Sequence, residues 1–327
     1  MNSLKSTPNL DNQSTTLPTL FPATYREYLL KDITTLYQIA YEYYVGPRLE
    51  QYNFRGLRFL QCHDRANFAR NKNTGLVKVL AESCHLRFCP ICNRTRERLI
   101  QRNVTDWLKI QRYPKFLTLT LKHSSESLQE QINRLYKSFQ VLRRRGLLKK
   151  KVASGIWFFQ ITKNPQTKQW HPHLHCLLTG SYIPIRELSR QWLAITTDSH
   201  CVDIRLIKGV EEAACEVARY ASCSCNIKKF DNWELDEIDK ALHHRRLCGC
   251  WGKCRAKKML SPQKYEAAEW QKLGSWVTVF SNIKTLPAAQ KIFEAWRDAT
   301  PLEEGCSLEG MENLVNDFGE NGEILIE

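Results

Sequence analysis

The chain contains no run of about 18 apolar residues, so it offers no membrane-spanning helix. Its first 22 residues, MNSLKSTPNLDNQSTTLPTLFP, have no apolar core of the kind a secretory signal needs, and the cytoplasm is the expected compartment. No internal repeat is present, which excludes solenoids and propellers. Acidic residues are short over most of the length: 34 Asp and Glu face 48 Lys and Arg, for a net charge of +14. Eight of the acids fall within residues 302–327, which hold no Lys or Arg, so residues 1–301 carry eight more positive charges than the whole, +22. A body this basic points to a polyanionic partner, nucleic acid foremost.

Cysteine is plentiful, with 13 residues in 327. In a reducing compartment clustered cysteines read as metal ligands rather than disulfides. Cys62, Cys84, Cys89 and Cys92 follow the pattern C-x21-C-x4-C-x2-C, ending in a Cys-Pro-Ile-Cys turn. Four thiolates suit a tetrahedral structural Zn²⁺, and His63 or His85 could replace one of them. Arg87, Arg94, Arg96 and Arg98 surround this element and are candidate phosphate contacts.

Along the chain, residues 1–22 read as disordered. Apolar and aromatic spacing from Tyr25 to Tyr44 predicts a helix. Residues 115–123 alternate Leu and Thr as a half-buried strand does. A helix over Leu128, Ile132, Leu135, Phe139 and Leu142 follows, ending in Arg143, Arg144, Arg145 and then Lys149 to Lys151, a candidate DNA-binding patch. A strand over 155–163 and an Asn164-Pro165 turn lead into Trp170-His171-Pro172-His173-Leu174-His175-Cys176-Leu177-Leu178. Helices at 186–198 and 208–223 flank a strand at 201–206. This order predicts an α+β domain whose antiparallel sheet is covered by helices on one face. Residues 261–299 read as two helices with Trp270 and Trp296 in their core.

On a strand, alternate side chains share a face, so His171, His173 and His175 line one surface at steps of roughly 7 Å. Imidazole is a common metal ligand, and this surface is a candidate divalent-metal platform. Gln160 falls near it if the hairpin register allows. In the 208–223 helix, Glu216 and Tyr220 are one turn apart on one face. A carboxylate so placed can act as base for the phenol, or for a water in the same space.

The strand Phe116-Leu117-Thr118-Leu119-Thr120, the His171-Pro172-His173-Leu174-His175 strand and the Glu216-Val217-Ala218-Arg219-Tyr220 helix occur in that order. Together with the upstream Cys-Pro-x-Cys element they resemble the motifs of rolling-circle plasmid replication initiators, within the HUH class of single-strand endonucleases. The likeness runs from about residue 62 to about residue 229. It implies a ferredoxin-like antiparallel sheet with the histidine pair on a central strand. His173 and His175 would hold Mn²⁺ or Mg²⁺, Tyr220 would attack the scissile phosphate to leave a 5′-phosphotyrosyl link and a free 3′-OH, and Glu216 would activate the water that ends replication. Partners would be origin DNA, a host helicase and a DNA polymerase. Arg219, Lys228 and Lys229 would be further DNA contacts.

Two positions depart from the family pattern. Gln160, in Gln160-Ile161-Thr162, stands where an acidic ligand is usual, which leaves the third metal ligand open between Gln160 and His171. Cys223 stands where a lysine usually follows the tyrosine. The expected division is a disordered 1–22, an N-terminal helix and zinc module at 23–112, a nickase domain at 113–230, a Cys/His-rich basic segment with a helical extension at 231–300, and an acidic tail at 301–327. A second cysteine group, Cys223, Cys225, Cys248, Cys250 and Cys254, has ligand-like spacing with His243 and His244 nearby, but reads equally as reduced cysteines in a Gly-rich turn. The same residues also admit two rival readings: an HUH transposase, and a non-enzymatic zinc-finger nucleic-acid-binding protein.

Overall fold

The computed structural model describes residues 25–30, 33–46, 54–255 and 269–302. The segment read as disordered and almost all of the acidic tail lie outside them. The elements run α1 (Tyr25–Leu30), α2 (Thr34–Tyr44), α3 (Phe54–Gln61), β1 (Ala66–Asn71), β2 (Val77–Ala81), α4 (Pro90–Lys109) and β3 (Lys115–Thr120). Next come α5 (Leu128–Arg144), α6 (Gly146–Lys151), β4 (Val152–Lys163), β5 (Trp170–Gly180), α7 (Ile185–Thr196), β6 (Val202–Leu206) and α8 (Val210–Cys223). After them come α9 (Asn232–Ala241), β7 (Cys248–Gly252), β8 (Trp270–Ser275), α10 (Trp276–Ser281) and α11 (Pro287–Asp298).

The main sheet has five antiparallel strands in the order β6-β3-β5-β4-β7, so the histidine strand β5 is central. Strand alternation divides its side chains between two cores. Leu117, Leu119, Phe159, Ile161, Leu174, Cys176 and Leu178 meet α5 and α7 on one face. Phe116, Ile156, Phe158 and Leu177 meet α4 and α8 on the other. The α+β class and antiparallel sheet are as expected, but helices cover both faces rather than one. The reason is α4, whose Ile100, Val104, Trp107 and Leu108 repeat at helical spacing and bury a second apolar stripe. Helix α5 begins with a capping box in which Ser127 and Glu130 satisfy each other's backbone N–H groups.

The edge strand β7 interlocks with β4 through two reversed pairs, Gly155 opposite Trp251 and Trp157 opposite Gly249. A Cβ at Gly155 would lie 2.2 Å from the Trp251 ring and one at Gly249 2.7 Å from Trp157 Nε1, so each glycine makes room for an indole.

A second sheet, in the order β2-β1-β8, joins the N-terminal module to residues 270–275. Where two helices were expected over 261–299, the described part is a strand followed by α10 and α11. Trp276 is buried here among Phe68, Tyr25, Tyr28 and Trp296. Trp270 is buried as expected, under Lys78.

Candidate functional site

Helix α8 is alanine-rich where it meets the sheet, with Ala213, Ala214, Ala218 and Ala221 buried beside Val217. Small side chains let the helix sit close over the odd-numbered face of β5. As a result the Tyr220 ring stacks on His175 with centroids 4.5 Å apart and planes 25° apart. The phenol O–H donates to Glu216 Oε1 at 3.0 Å, and Arg205 of β6 lies 3.5 Å from Glu216 Oε2. Burial, and then the charge and hydrogen bond of Glu216, push the Tyr220 pKa up to about 12, with Arg219 and Arg205 pulling back. Arg205 was not singled out from sequence. Its signal was the alternation of β6, which puts Arg205 opposite Phe116 on the histidine face.

Hydrogen bonds to Thr162 and to Gln160 set the tautomers of His173 and His175. Thr162 Oγ1 donates to the His171 carbonyl at 3.0 Å, so at 2.9 Å it accepts from His173 Nε2–H. That leaves the lone pair on His173 Nδ1, which is buried and has no hydrogen-bond partner. His175 Nε2 donates to Gln160 Oε1 at 2.8 Å, and Nδ1 pairs with Thr118 Oγ1 at 3.2 Å. The Leu-Thr strand thus supplies, through Thr118, the group that orients His175.

The donors here, an unpaired imidazole nitrogen, a second imidazole and an amide oxygen, are of kinds that bind divalent ions. The orphaned Nδ1 of His173 is a ready ligand. His175 Nε2 and Gln160 Oε1 stand about as far apart as neighbouring ligands in an octahedral site with bonds near 2.1 Å, and an ion there would shift the His175 proton to Nδ1, where Thr118 Oγ1 can accept it. His171 is placed differently: its ring packs 4.2 Å from His123 and 4.2 Å from His173. Among the described residues, no set of three strand histidines brings its nitrogens within 4.8 Å of one another.

Burial, reinforced by His171, His175 and His123, pulls the His173 pKa down to about 3. Burial and Arg205 pull His175 down to about 4. Both folded values lie below the unfolded value near 6.5, so the unfolded chain binds more protons between them. Their stabilising contribution is complete above about pH 6.5 and is lost as pH falls, by up to about 1.4 kcal/mol per pH unit for each histidine. We expect urea unfolding of metal-free protein to show this acid loss between pH 6.5 and 4, and His173→Gln to flatten it. An unchanged slope in that variant would contradict the assignment.

Cys62, Cys84, Cys89 and Cys92 are all buried, and their sulfurs lie within 4.8 Å of one another. The close pairs are 3.5, 3.6 and 3.7 Å apart, near the roughly 3.8 Å edge of a tetrahedron with 2.3 Å metal–sulfur bonds. The group can hold a metal ion. Cys89 caps α4 and Cys92 lies in its first turn, where the helix dipole favours thiolate. His63 Nδ1 is 3.2 Å from Cys62 Sγ, outside the four-sulfur group. Among the described residues the later cysteines form no comparable set. Cys254 bonds instead to the Gly155 and Trp251 carbonyls, and Cys248 is buried on β7.

The expected DNA contacts separate into three groups. Arg94, Arg219 and Lys229 line a groove of about 1530 Å³ that also contains Tyr220 and Gln160. Cys223, in place of the family lysine, lines it too, while Lys228 sits in the exposed turn beside it. Arg87 and Arg96 face inward: Arg87 donates to the Leu242 carbonyl at 3.0 Å, and Arg96 donates to the Ser222 carbonyl at 2.9 Å, tying α4 to the end of α8. Arg143 packs over Phe139 and Trp251. Arg144 and Arg145 are exposed near the start of β4, roughly 26 Å of strand away from Gln160.

Fold and site together define an α+β domain with a tyrosine, a glutamate and two histidines gathered over one sheet face, the tyrosine lining a basic groove. The Rep_1 family, described as "Replication protein", matches residues 76–278, more than half of the chain. The chain belongs to this family of replication proteins, the rolling-circle plasmid initiators whose motifs it carries. "Protein rep" of Streptococcus pneumoniae serotype 2 (strain D39) is 26% identical over 214 residues, covering 58% of this chain and 67% of that protein. "Protein rep" of Bacillus amyloliquefaciens is 27% identical over 248 residues (62% and 71%), and that of a Bacillus species 28% over 242 (60% and 76%). No solved structure matches significantly. No helix among the described residues is long and apolar enough to cross a membrane.

Proposed function

We propose that this replication protein starts rolling-circle synthesis by nicking one strand of a plasmid origin with Tyr220. The observation that carries the proposal is the Tyr220 ring stacked on His175 while its hydroxyl hydrogen-bonds Glu216. With a pKa near 12, about one phenol in 10⁵ is ionised at pH 7, so attack needs a proton acceptor and a polarised phosphate. Glu216 Oε1 takes the proton as Tyr220 Oη bonds to phosphorus. The bond from phosphorus to the 3′ oxygen breaks, that oxygen takes a proton from water to become the 3′-OH that primes synthesis, and Glu216 returns its own proton to water. His173, His175 and Gln160 would hold Mn²⁺ or Mg²⁺, which when bound polarises the phosphate and stabilises charge on the leaving oxygen. Thr118 and Thr162 keep the imidazoles in place, and Arg219 and Lys229 hold flanking phosphates. The phosphotyrosyl link stores the energy of the broken bond, so the strand can be rejoined without a nucleotide cofactor.

Once Tyr220 is esterified it has no proton to donate, and Glu216 is released to accept one from water. This accounts for a hydrolytic ending with one tyrosine. The Cys62, Cys84, Cys89 and Cys92 group would hold structural Zn²⁺, and host helicase and polymerase would act on the opened origin.

The test mixes the protein with origin-derived single-stranded DNA and Mn²⁺ and resolves the products on a denaturing gel. Wild type gives a covalent adduct. Glu216→Gln still gives one, more slowly, and its release by water falls by about 10²- to 10⁴-fold. Release at the wild-type rate would remove Glu216 from that role.

A further inference from the structure

The groove that contains Tyr220 continues past the end of β4 to Trp233, in the first turn of α9, and this indole is 62% exposed. Several contacts hold its neighbourhood in place. Lys163 Nζ sits 4.6 Å from the Trp170 ring centre and 5.1 Å from that of Trp233, so the ammonium lies between the two indoles. The same ammonium forms an ion pair with Glu234, whose other carboxylate oxygen caps α9 by accepting from the Asp231 N–H at 2.8 Å. Phe230 closes on Trp170 at 5.6 Å and also lines the groove. Lys163 thereby supports the Trp233 ring without covering it.

We propose that Trp233 is a stacking platform for unpaired bases of the strand being cut, a few nucleotides from the scissile phosphate. This rests on the nicking function proposed above and adds where the flanking strand runs. Three features select single-stranded DNA as the occupant. The groove, at about 1530 Å³, exceeds the roughly 300–1,000 Å³ of small-molecule pockets and suits a polymer. It is continuous with the nucleophile. Lys168, Lys229, Arg94 and Arg219 line it for a phosphate backbone, with Glu97 on α4 and Asp231 before α9 the acidic exceptions and Glu234 paired to Lys163. An exposed indole among cations is the pairing that single-strand binders use, and stacking there tolerates any base. Duplex DNA, with its bases already stacked on one another, has no unpaired face to offer the indole.

Two measurements test this. The first is binding of a fluorescein-labelled origin single strand to Tyr220→Phe protein, which cannot cut. Trp233→Ala should weaken this by about 5- to 150-fold, the range that loss of one stacking residue gives, while Trp233→Phe keeps most of the affinity. Binding of a duplex of the same sequence should not change. The second is ultraviolet crosslinking with 5-iododeoxyuridine moved stepwise to either side of the nick. Crosslinks to Trp233 should peak at one or two adjacent positions on one side only. Equal affinity of Trp233→Ala and wild-type side chains, or no crosslink to Trp233 from any position, overturns the platform. Adduct formation is scored separately in protein with Tyr220 intact. An adduct with no Trp233 effect sinks the platform alone, and Trp233-dependent binding with no adduct sinks the nicking reading alone.

Discussion

Replacing Tyr220 by phenylalanine is expected to abolish the covalent protein–DNA adduct while leaving the fold and single-strand binding near wild type. The change removes one oxygen and keeps the ring that stacks on His175 and borders the α4–α8 core. The lost interaction is the half-buried hydrogen bond to Glu216, and Glu216 retains Arg205, so the stability change should be within about 1 kcal/mol. The activity change has no such limit. No other tyrosine lies between Tyr182 and Tyr265, so no second phenol on α8 can take over. Adduct formation should fall below detection, at least about 10⁴-fold. Persistence of the adduct in Tyr220→Phe would show that another side chain attacks.

The second large effect is on stability. Cys89→Ser should release stoichiometric zinc and unfold or aggregate the protein at temperatures where wild type is folded. Zinc in a four-thiolate site can contribute on the order of 10 kcal/mol to folding, comparable with the whole 5–15 kcal/mol stability of a typical domain. The Cys89 group also pins together α3, the loop after β2 and the start of α4. Helix α4 then carries Arg96 to the end of α8, so loss of the metal should loosen the support of Tyr220. Cys201→Ser, at an exposed cysteine, is the control and should melt as wild type does. A Cys89→Ser protein with unchanged melting temperature, or wild type without zinc, would contradict this role.

Those two results bear on features that local sequence pattern could carry. The alternation in Lys115–Thr120 and Trp170–Gly180 depends on period alone and puts His173 and His175 on one face, whereas the β3–β5 register is what brings Thr118 onto that face. The four cysteines were legible because ligand spacing is short-range chemistry. What failed was non-local. Strand β7 has the composition of a turn, Cys-Gly-Cys-Trp-Gly. It becomes a strand because Gly249 and Trp251 fit Trp157 and Gly155 of β4, some 90 residues earlier. Strand β8 pairs with β1 across a still longer separation. Helix α4 had a readable apolar stripe, but its start is hidden inside the cysteine motif and its polar face is dense with arginine.

Charge alone does not show what a guanidinium touches within the fold. Arg87, Arg96 and Arg143 read as phosphate contacts because they are cationic, yet their guanidinium groups meet carbonyls and aromatic rings of the fold. Gln160 moved the other way. As an amide in an acidic position it looked a poor ligand, but the β4–β5 register sets its oxygen 2.8 Å from His175 Nε2. Gln160→Glu would therefore be a direct probe of how much charge the metal site needs.

As the nucleophile, Tyr220 becomes covalently joined to DNA. Digesting the adduct with nuclease and protease and sequencing the residual peptide by tandem mass spectrometry tests it most directly. The expected product is a nucleotide linked through its 5′ phosphate to Tyr220, in a peptide containing Glu216-Val217-Ala218-Arg219-Tyr220 or its tryptic remainder. A nucleotide on any other residue, or a cut strand ending in a free 5′ phosphate with no adduct formed at any time, would contradict it.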